Sequence, residues 1–391
     1  MTTSHERDSA TPVIDSDQHL YETRTTWLDH IDPGHRDDAL RIVNDELGYP
    51  WLSWGADHKL GPVDVQMPGR TSELGDRRER IRAGLAPETN YDELLPRDYW
   101  EPSARADRLA AMGVDQAVVF PNFGLLWERR LDADLDSLTA NMTAWNRWCA
   151  SVVSDGHGRV HPVAHLTLRD VSWLDRELAD LERAGVHLAM IAPALVDGRP
   201  LSHPDHDRIW RAFVERGVTP VFHVADQRRV FDDVWYSAPT EDSLPPLESI
   251  FLWTAAALAC TDLILNGTLE RFPELRIGIV ELSAVWVPMF LMMLDGGTQF
   301  TTKLNGRPVY PLRMPPSEYF RRQVRVSSFS YELPGRLIRD TGDLYMCCSD
   351  YPHSEGTATP IADYEGSAKP IRPVDAPGLF GANASMLLTP A

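Results

Sequence analysis

The amino-acid sequence predicts an α/β fold: a (β/α)8 TIM barrel with a long insertion after strand 1 and a second after strand 5. Three observations carry this. Eight short runs rich in Val, Ile and Leu alternate with helical patterns, which indicates βαβ units with strands buried on both faces. The 391 residues exceed the roughly 250 that such a barrel uses, and the surplus collects in two blocks, each behind a strand. The first strand runs into DSDQHLYE, with no glycine-rich turn of the kind an open doubly wound sheet carries there.

Taken in order, the strands are expected over residues 13–17, 116–120, 160–166, 186–191, 220–224, 276–282, 323–328 and 344–349. Helices are expected over 172–184, 205–216, 247–259 and 332–340. Ser172 can cap the first of these and Gly185 can stop it, and Gly217 follows the second. The block 23–101 is crowded with turn formers, charges and Trp27, Trp51, Trp54 and Trp100. The block 227–246 carries Trp235, Tyr236 and three prolines. Residues 369–377 read as a Pro-rich surface tail before a last short helix. A single domain, 1–391, is expected, with 23–101 over the barrel mouth.

Composition narrows the function. Apolar residues make up 43% and charged residues 24%, which excludes a wholly disordered or fibrous chain. Acidic residues outnumber basic ones 57 to 38, and a net charge of -19 repels phosphate backbones and anionic lipid. Neither a nucleic-acid nor a membrane partner is therefore expected. The apolar stretch 250–265 is interrupted by Thr254, Thr261 and Asp262 and is short for a membrane span. The first residues lack the apolar run of a secretory signal. Cys149, Cys260, Cys347 and Cys348 show no CxxC spacing and read as reduced thiols, in keeping with a cytoplasmic location.

The chemistry-bearing residues stand at strand ends. Asp17 and His19 are two apart in extended chain, so they face one side with a carboxylate and an imidazole, a pair suited to zinc, manganese or iron. A capping Asp and a surface His are the plain alternative. His223 ends the apolar fifth strand and reads as a ligand or as a hydrogen-bonded core group. Asp350 emerges from the apolar eighth strand and needs a partner, because an unpaired buried carboxylate is costly. His353 follows three residues later. Convergence of three separate strand ends favours a metal over the plain readings.

With these residues in place, the chain resembles the amidohydrolase superfamily. More closely, it resembles the amidohydrolase-related branch that includes aminocarboxymuconate semialdehyde decarboxylase and γ-resorcylate decarboxylase. The segments that carry this are VIDSDQHLYE, RLAAMGVDQAVVFPN, HPDHDRIWRAFVERGVTPVFH, NGTLERFPELRIGIVELSAVWVPMFLMMLD and CSDYPHSEGT, in that order. The block 23–101 matches least. The resemblance implies one divalent metal, zinc first with manganese or iron as alternatives, on the C-terminal face of the barrel. It places Asp17, His19, His223 and Asp350 as ligands and Asp350 also as acid/base. It further implies a homodimer and a small-molecule substrate.

One position departs from the pattern. Where the branch has a catalytic histidine at the end of the sixth strand, this chain has Glu281, and no histidine occurs between His223 and His353. Proton transfer, support of the site, metal binding or pairing with a buried Arg are the readings open to Glu281. Glu22 can support the site from above the first strand. Arg228 and Arg229 are candidates to bind a substrate carboxylate, with solvation of an exposed loop as the alternative. Trp235, with Trp51, Trp54, Trp100 and Trp127, can shape an apolar pocket or simply pack the inserts. His161, His165, His187, His203, His206 and the remaining histidines are expected in core or solvent roles.

The function expected from all this is a decarboxylase-type, non-oxidative carboxy-lyase acting on a small cyclic or unsaturated organic acid. Asp350, Glu281 and His353 are its candidate catalytic groups. Hydrolysis by metal-activated water is the alternative reaction, and a non-catalytic binding barrel is the second alternative.

Overall fold

The computed structural model describes residues 11–236 and 246–389. Eight of its strands are parallel neighbours: β1 (Ile14–Leu20), β5 (Gln116–Pro121), β6 (Val160–His165), β7 (Leu188–Met190), β8 (Thr219–His223), β9 (Ile277–Val280), β10 (Val324–Ser328) and β11 (Tyr345–Cys347). All eight coincide with the expected strands, and the doubly wound alternative is overturned. The seam between β11 and β1 closes through the parallel bridge of Gln18 and Tyr351, with the His19 N–H donating to the Tyr351 carbonyl at 2.8 Å.

The barrel interior is filled by Ile14, Val118, Phe120, Val163, Leu188, Met190, Val221, Val280 and Met346. Each such side chain contributes about 1.5–3 kcal/mol by leaving water. The last helix, Asn383–Leu388, plugs the N-terminal end: Thr219, first in β8, donates its hydroxyl to the Leu387 carbonyl. A larger apolar layer lies between strands and outer helices. In helix Val171–Ala184, Trp173, Leu174, Leu178 and Leu181 face that layer at helical spacing.

Three sequence expectations are corrected in detail. The cap of that helix is Asp170, which accepts from the Trp173 N–H, so Ser172 lies inside the first turn; Gly185 stops it as expected, in left-handed backbone. The helix expected over 247–259 is two helices, Pro246–Ile250 and Trp253–Leu265. By length and composition Pro246–Leu265 matches a membrane span, yet Ala256, Ala259, Cys260, Leu263 and Ile264 pack it on the barrel. Finally, the insertion after β1 builds its own antiparallel sheet from β2 (Leu40–Asn44), β3 (Pro50–Trp54) and β4 (His58–Pro62).

That insertion reaches the barrel's C-terminal end. Gln66 and Gly69 exchange hydrogen bonds with Ser354, in the loop after β11. Trp27 is fully buried, whereas Trp51 donates its indole N–H to Asp45. Part of the second insert, 237–245, lies outside the described residues, as does His5.

Candidate metal centre

Strand β1 carries an irregularity between Asp15 and Gln18. Buried Asp15 sits in it, accepting from the Gln18 amide at 2.7 Å and from the Ser349 N–H at 2.9 Å. Burial pushes the Asp15 carboxyl up to about 6, against the pull of these donors. The Asp350 N–H in turn donates to the Asp17 carbonyl at 2.8 Å. The seam of the barrel thus delivers the end of the eighth barrel strand to the end of the first. Arg105 braces the same strand from behind, donating to Gln18 and to the His19 carbonyl.

Two imidazoles are fixed in one tautomer. His19 Nδ1–H donates to the Pro121 carbonyl at 2.9 Å and His223 Nδ1–H to the Val224 carbonyl at 2.8 Å. Each therefore aims a bare Nε2 inward. His19 Nε2 is 3.5 Å from Asp17 Oδ1, 3.6 Å from Glu281 Oε2 and 3.2 Å from Asp350 Oδ1. His223 Nε2 is 3.5 Å from Asp17 Oδ1 and 3.2 Å from Glu281 Oε2. The Asp17, His19, His223 and Glu281 atoms are buried without a hydrogen-bond partner, and Asp350 Oδ1 has the His353 ring beside it.

Such a cluster of lone pairs is unstable unless a cation lies among them. Bonds of about 2.0–2.2 Å to one ion place donors about 3 Å apart at right angles and about 3.5 Å apart at tetrahedral angles. The separations among Asp17, His19, His223 and Glu281 span that range, so these four fit a divalent ion, while Asp350 joins a second group that shares His19 and Glu281. Without one, a proton takes the position. Burial alone would pull the His19 imidazole down, but the carboxylates of Asp17, Asp350 and Glu281 overcome it and push it well above the usual histidine value.

Glu281 belongs to this group. Among the described residues its neighbours in the site are two imidazoles and two carboxylates. Burial and the nearby Asp350 charge raise its carboxyl above the usual range. Its backbone is left-handed, with φ 53°, and Asp350 shares that conformation with φ 55°. These non-glycine residues each hold a strained backbone at the site.

A second arrangement lies beside the first. His353 Nδ1 approaches Asp350 Oδ1, its Nε2 is 2.8 Å from Asn122 Oδ1, and its ring stacks on His19 at 3.9 Å. Burial would raise the Asp350 carboxyl, but the imidazoles of His353 and His19 hold it well below the usual range. Asn122 is not singled out by the sequence. Its only signal is its place directly behind β5. Its loop is pinned by Glu22, whose carboxylate accepts three backbone N–H groups, from Asn122, Phe123 and Gly124. Burial nonetheless pushes Glu22 up to about 7. Glu22 thus holds in place the loop that carries Asn122.

The structure brings together Asp17, His19, His223, Glu281, Asp350 and His353. It gives the remaining candidates other company. Arg228 pairs with Asp132 at 3.0 Å and Arg229 pairs with Glu248. Arg228 lines a shallow depression with Glu128, Arg129 and Arg169. Trp235 lies exposed on the short helix Asp233–Tyr236. His165 is buried against Glu128 at 2.9 Å, and His161 bonds Gln116.

Comparisons with known proteins agree with the barrel. The family model described as amidohydrolase matches residues 95–385. A search of the curated proteins gives no match. Among solved structures, the chain is similar to an amidohydrolase from Mycobacterium avium subsp. paratuberculosis K-10, at 22% identity and TM-score 0.76, covering 97% of this chain and 99% of that one. It is also similar to 5-carboxyvanillate decarboxylase from Novosphingobium aromaticivorans with bound manganese, at 16% identity and TM-score 0.60, covering 97% and 98%. A third is 2,6-dihydroxybenzoate decarboxylase from Rhizobium, at 14% identity and TM-score 0.59, covering 97% and 98%.

Proposed function

The chain belongs to the amidohydrolase family, and from that premise we propose that it is a metal-dependent carboxy-lyase acting on a small cyclic or unsaturated organic acid. The observation that carries the reading is the convergence of buried, unpartnered donor atoms from Asp17, His19, His223 and Glu281, with Asp350 beside His19 and Glu281. The likeness to structures named as decarboxylases supports the reaction class.

A divalent ion held by Asp17, His19, His223 and Glu281, with Asp350 beside it, would polarise a carboxylate or carbonyl oxygen of the substrate. Two imidazoles and three carboxylates suit zinc first, and manganese or iron equally admit this donor set. The proton is handled by the protein. Asn122 accepts from His353 Nε2–H, so the proton that moves is the one on His353 Nδ1, facing Asp350 Oδ1. The pair can hold that proton as imidazolium and carboxylate, and Asp350 can pass it to the reacting carbon. Arg228 and Arg229 remain the proposed contacts for the substrate carboxylate. The Arg228–Asp132 pair is partly exposed, worth at most about 1 kcal/mol, and so exchangeable, whereas Arg229 is held against Glu248. Trp235 is proposed as aromatic cover.

Hydrolysis is favoured by one observation. Glu281 stands among the ligand atoms, so the sixth barrel strand supplies no free proton donor of its own. In that reading Asp350 is the general base for water. The experiment is to offer the metal-loaded protein a panel of hydroxylated aromatic and unsaturated carboxylic acids and follow CO2. Release of CO2, abolished by Asp350→Asn, supports the lyase. Absence of CO2 with uptake of labelled water oxygen into product replaces it with the hydrolase.

A further inference from the structure

Glu332 lies just behind β10, on the short helix Ser330–Glu332, and is buried. It belongs to neither group of donor atoms at the centre. One of its oxygens acts locally: Oε2 accepts from the Phe329 N–H at 2.9 Å, three residues back. The other reaches across to the loop behind β9. Oε1 accepts from the Ser283 hydroxyl at 2.5 Å and from the Ala284 N–H at 2.9 Å. A cap for its own short helix needs only the first bond. The second pair, 49 and 48 residues away in the chain, ties down the loop that carries Glu281.

That loop needs tying. Glu281 and Ser283 both hold left-handed backbone, with φ 53° and 60°, and Leu333, next to Glu332, does so at 59°. None is a glycine, and such a conformation persists only where the surrounding contacts over-determine it. The Trp286 indole N–H donates to the Leu282 and Ser283 carbonyls, but it belongs to the same stretch of chain. The Glu281 N–H donates to Ser327 Oγ on β10 at 3.0 Å. Among the described residues, the hydrogen bonds that fix the turn 281–284 to β10 and its loop are those of Ser327 and Glu332.

A carboxylate is the side chain that meets these three donors. Both of its oxygens accept, so Oε1 serves two groups while Oε2 serves the third. An amide of the same shape turns an NH2 to one side and sets donor against donor. The two oxygens thus hold the loops behind β9 and β10 together, and the turn in the first of them aims Glu281 at His19 and His223.

We propose that Glu332 is a positioning residue for the metal centre: its carboxylate holds the turn 281–284 in the left-handed form that presents the Glu281 carboxylate to the ion. The inference rests on the reading of Glu281 as a ligand. Glu332 acts through Glu281 and contacts neither ion nor substrate.

The test is a double-mutant cycle in zinc affinity, measured on the full chain by competition with a chromogenic chelator. Glu332→Gln is expected to weaken zinc binding about tenfold, and Glu281→Ala at least as much. The double variant is expected to bind within about twofold of Glu281→Ala alone, whereas two independent losses would multiply. Urea midpoints of the metal-free chains report folding separately, because a merely stabilising carboxylate lowers the midpoint without this non-additivity. Should Glu332→Gln not fold, Ser283→Ala takes its place in the same cycle, with a smaller loss expected. That variant breaks one bond between the loops and keeps the cap on Phe329. Zinc affinity unchanged in Glu332→Gln, or in Ser283→Ala where it stands in, with Glu281→Ala weakened, overturns the proposal and leaves Glu281 a ligand. Losses that multiply overturn it too and make Glu332 a general support. Affinity unchanged in Glu281→Ala removes the ligand reading and the proposal with it.

Discussion

The Nδ1 atom of His353 lies 2.7 Å from Oδ1 of Asp350. Both are acceptors unless a proton lies between them, and Asn122 accepts from the opposite ring nitrogen. A proton shared there is poised for transfer. His353→Gln is expected to lower kcat by about 10²–10⁴-fold while bound metal stays at the wild-type level. Asn122→Ala should lower it less. Steady-state kinetics with metal analysis of the same samples check this. Equal kcat in His353→Gln and wild type would remove the relay.

Removal of the metal should cost stability as well as activity. Asp17, Glu281 and Asp350 leave buried oxygens without hydrogen-bond partners, and an ion that binds only the folded state stabilises it by mass action. Dialysis against a chelator is expected to lower Tm, and zinc or manganese to restore it. An unchanged melting curve would argue against ligation.

Glu281→Gln keeps the shape of the side chain and removes its charge. A lost ligand charge is expected to weaken metal affinity at least tenfold, in line with the 10–100-fold seen when a ligand's supporting partner is removed. A competition titration with a chromogenic chelator measures it. If affinity holds while turnover collapses, Glu281 is a proton donor and not a ligand.

Gly124→Ala tests how the Asn122 loop is held. The added Cβ would meet Pro121 at 2.5 Å and a Glu22 carboxylate oxygen at 2.9 Å. Stability is expected to fall by about 1–3 kcal/mol, read by urea unfolding, with turnover reduced because Asn122 moves. A neutral result would show that the loop yields freely.

His161 supplies a pH prediction away from the centre. Burial, aided by His187, lowers its imidazole to about 4 in the folded chain, against an ordinary 6.5. Between these values the unfolded chain binds the extra proton, so this part of the stability is complete above about pH 6.5 and lost on acidification towards 4. His161→Gln keeps a donor to Gln116 and should flatten the stability profile across that window. Urea midpoints at several pH values decide it; identical slopes would contradict the assignment.

Much of this was legible in the sequence because the information was local. Alternating apolar runs give barrel strands directly, and the ends of those strands carry Asp17, His19, His223 and Asp350. What escaped depends on contacts between distant segments. Glu281 could not be assigned from spacing, because its partners His19 and His223 sit on other strands. Asn122 lies in a loop and acquires meaning only when His353 arrives from the far end of the chain. The cap at Asp170 was missed because Ser172, two residues on, is an equally good capping type. The small sheet β2–β4 was missed because its strands are short, half-exposed and interrupted by polar residues.

The left-handed backbone at Glu281 and Asp350 sets durability against chemistry. Each costs about 1–3 kcal/mol that glycine would not incur, and each holds a charge in a crowded interior. In the metal-free chain, glycine at either position is expected to make a tougher barrel, at the cost of a proposed ligand. A screen for heat resistance alone, with no assay of turnover, would therefore discard these two side chains first.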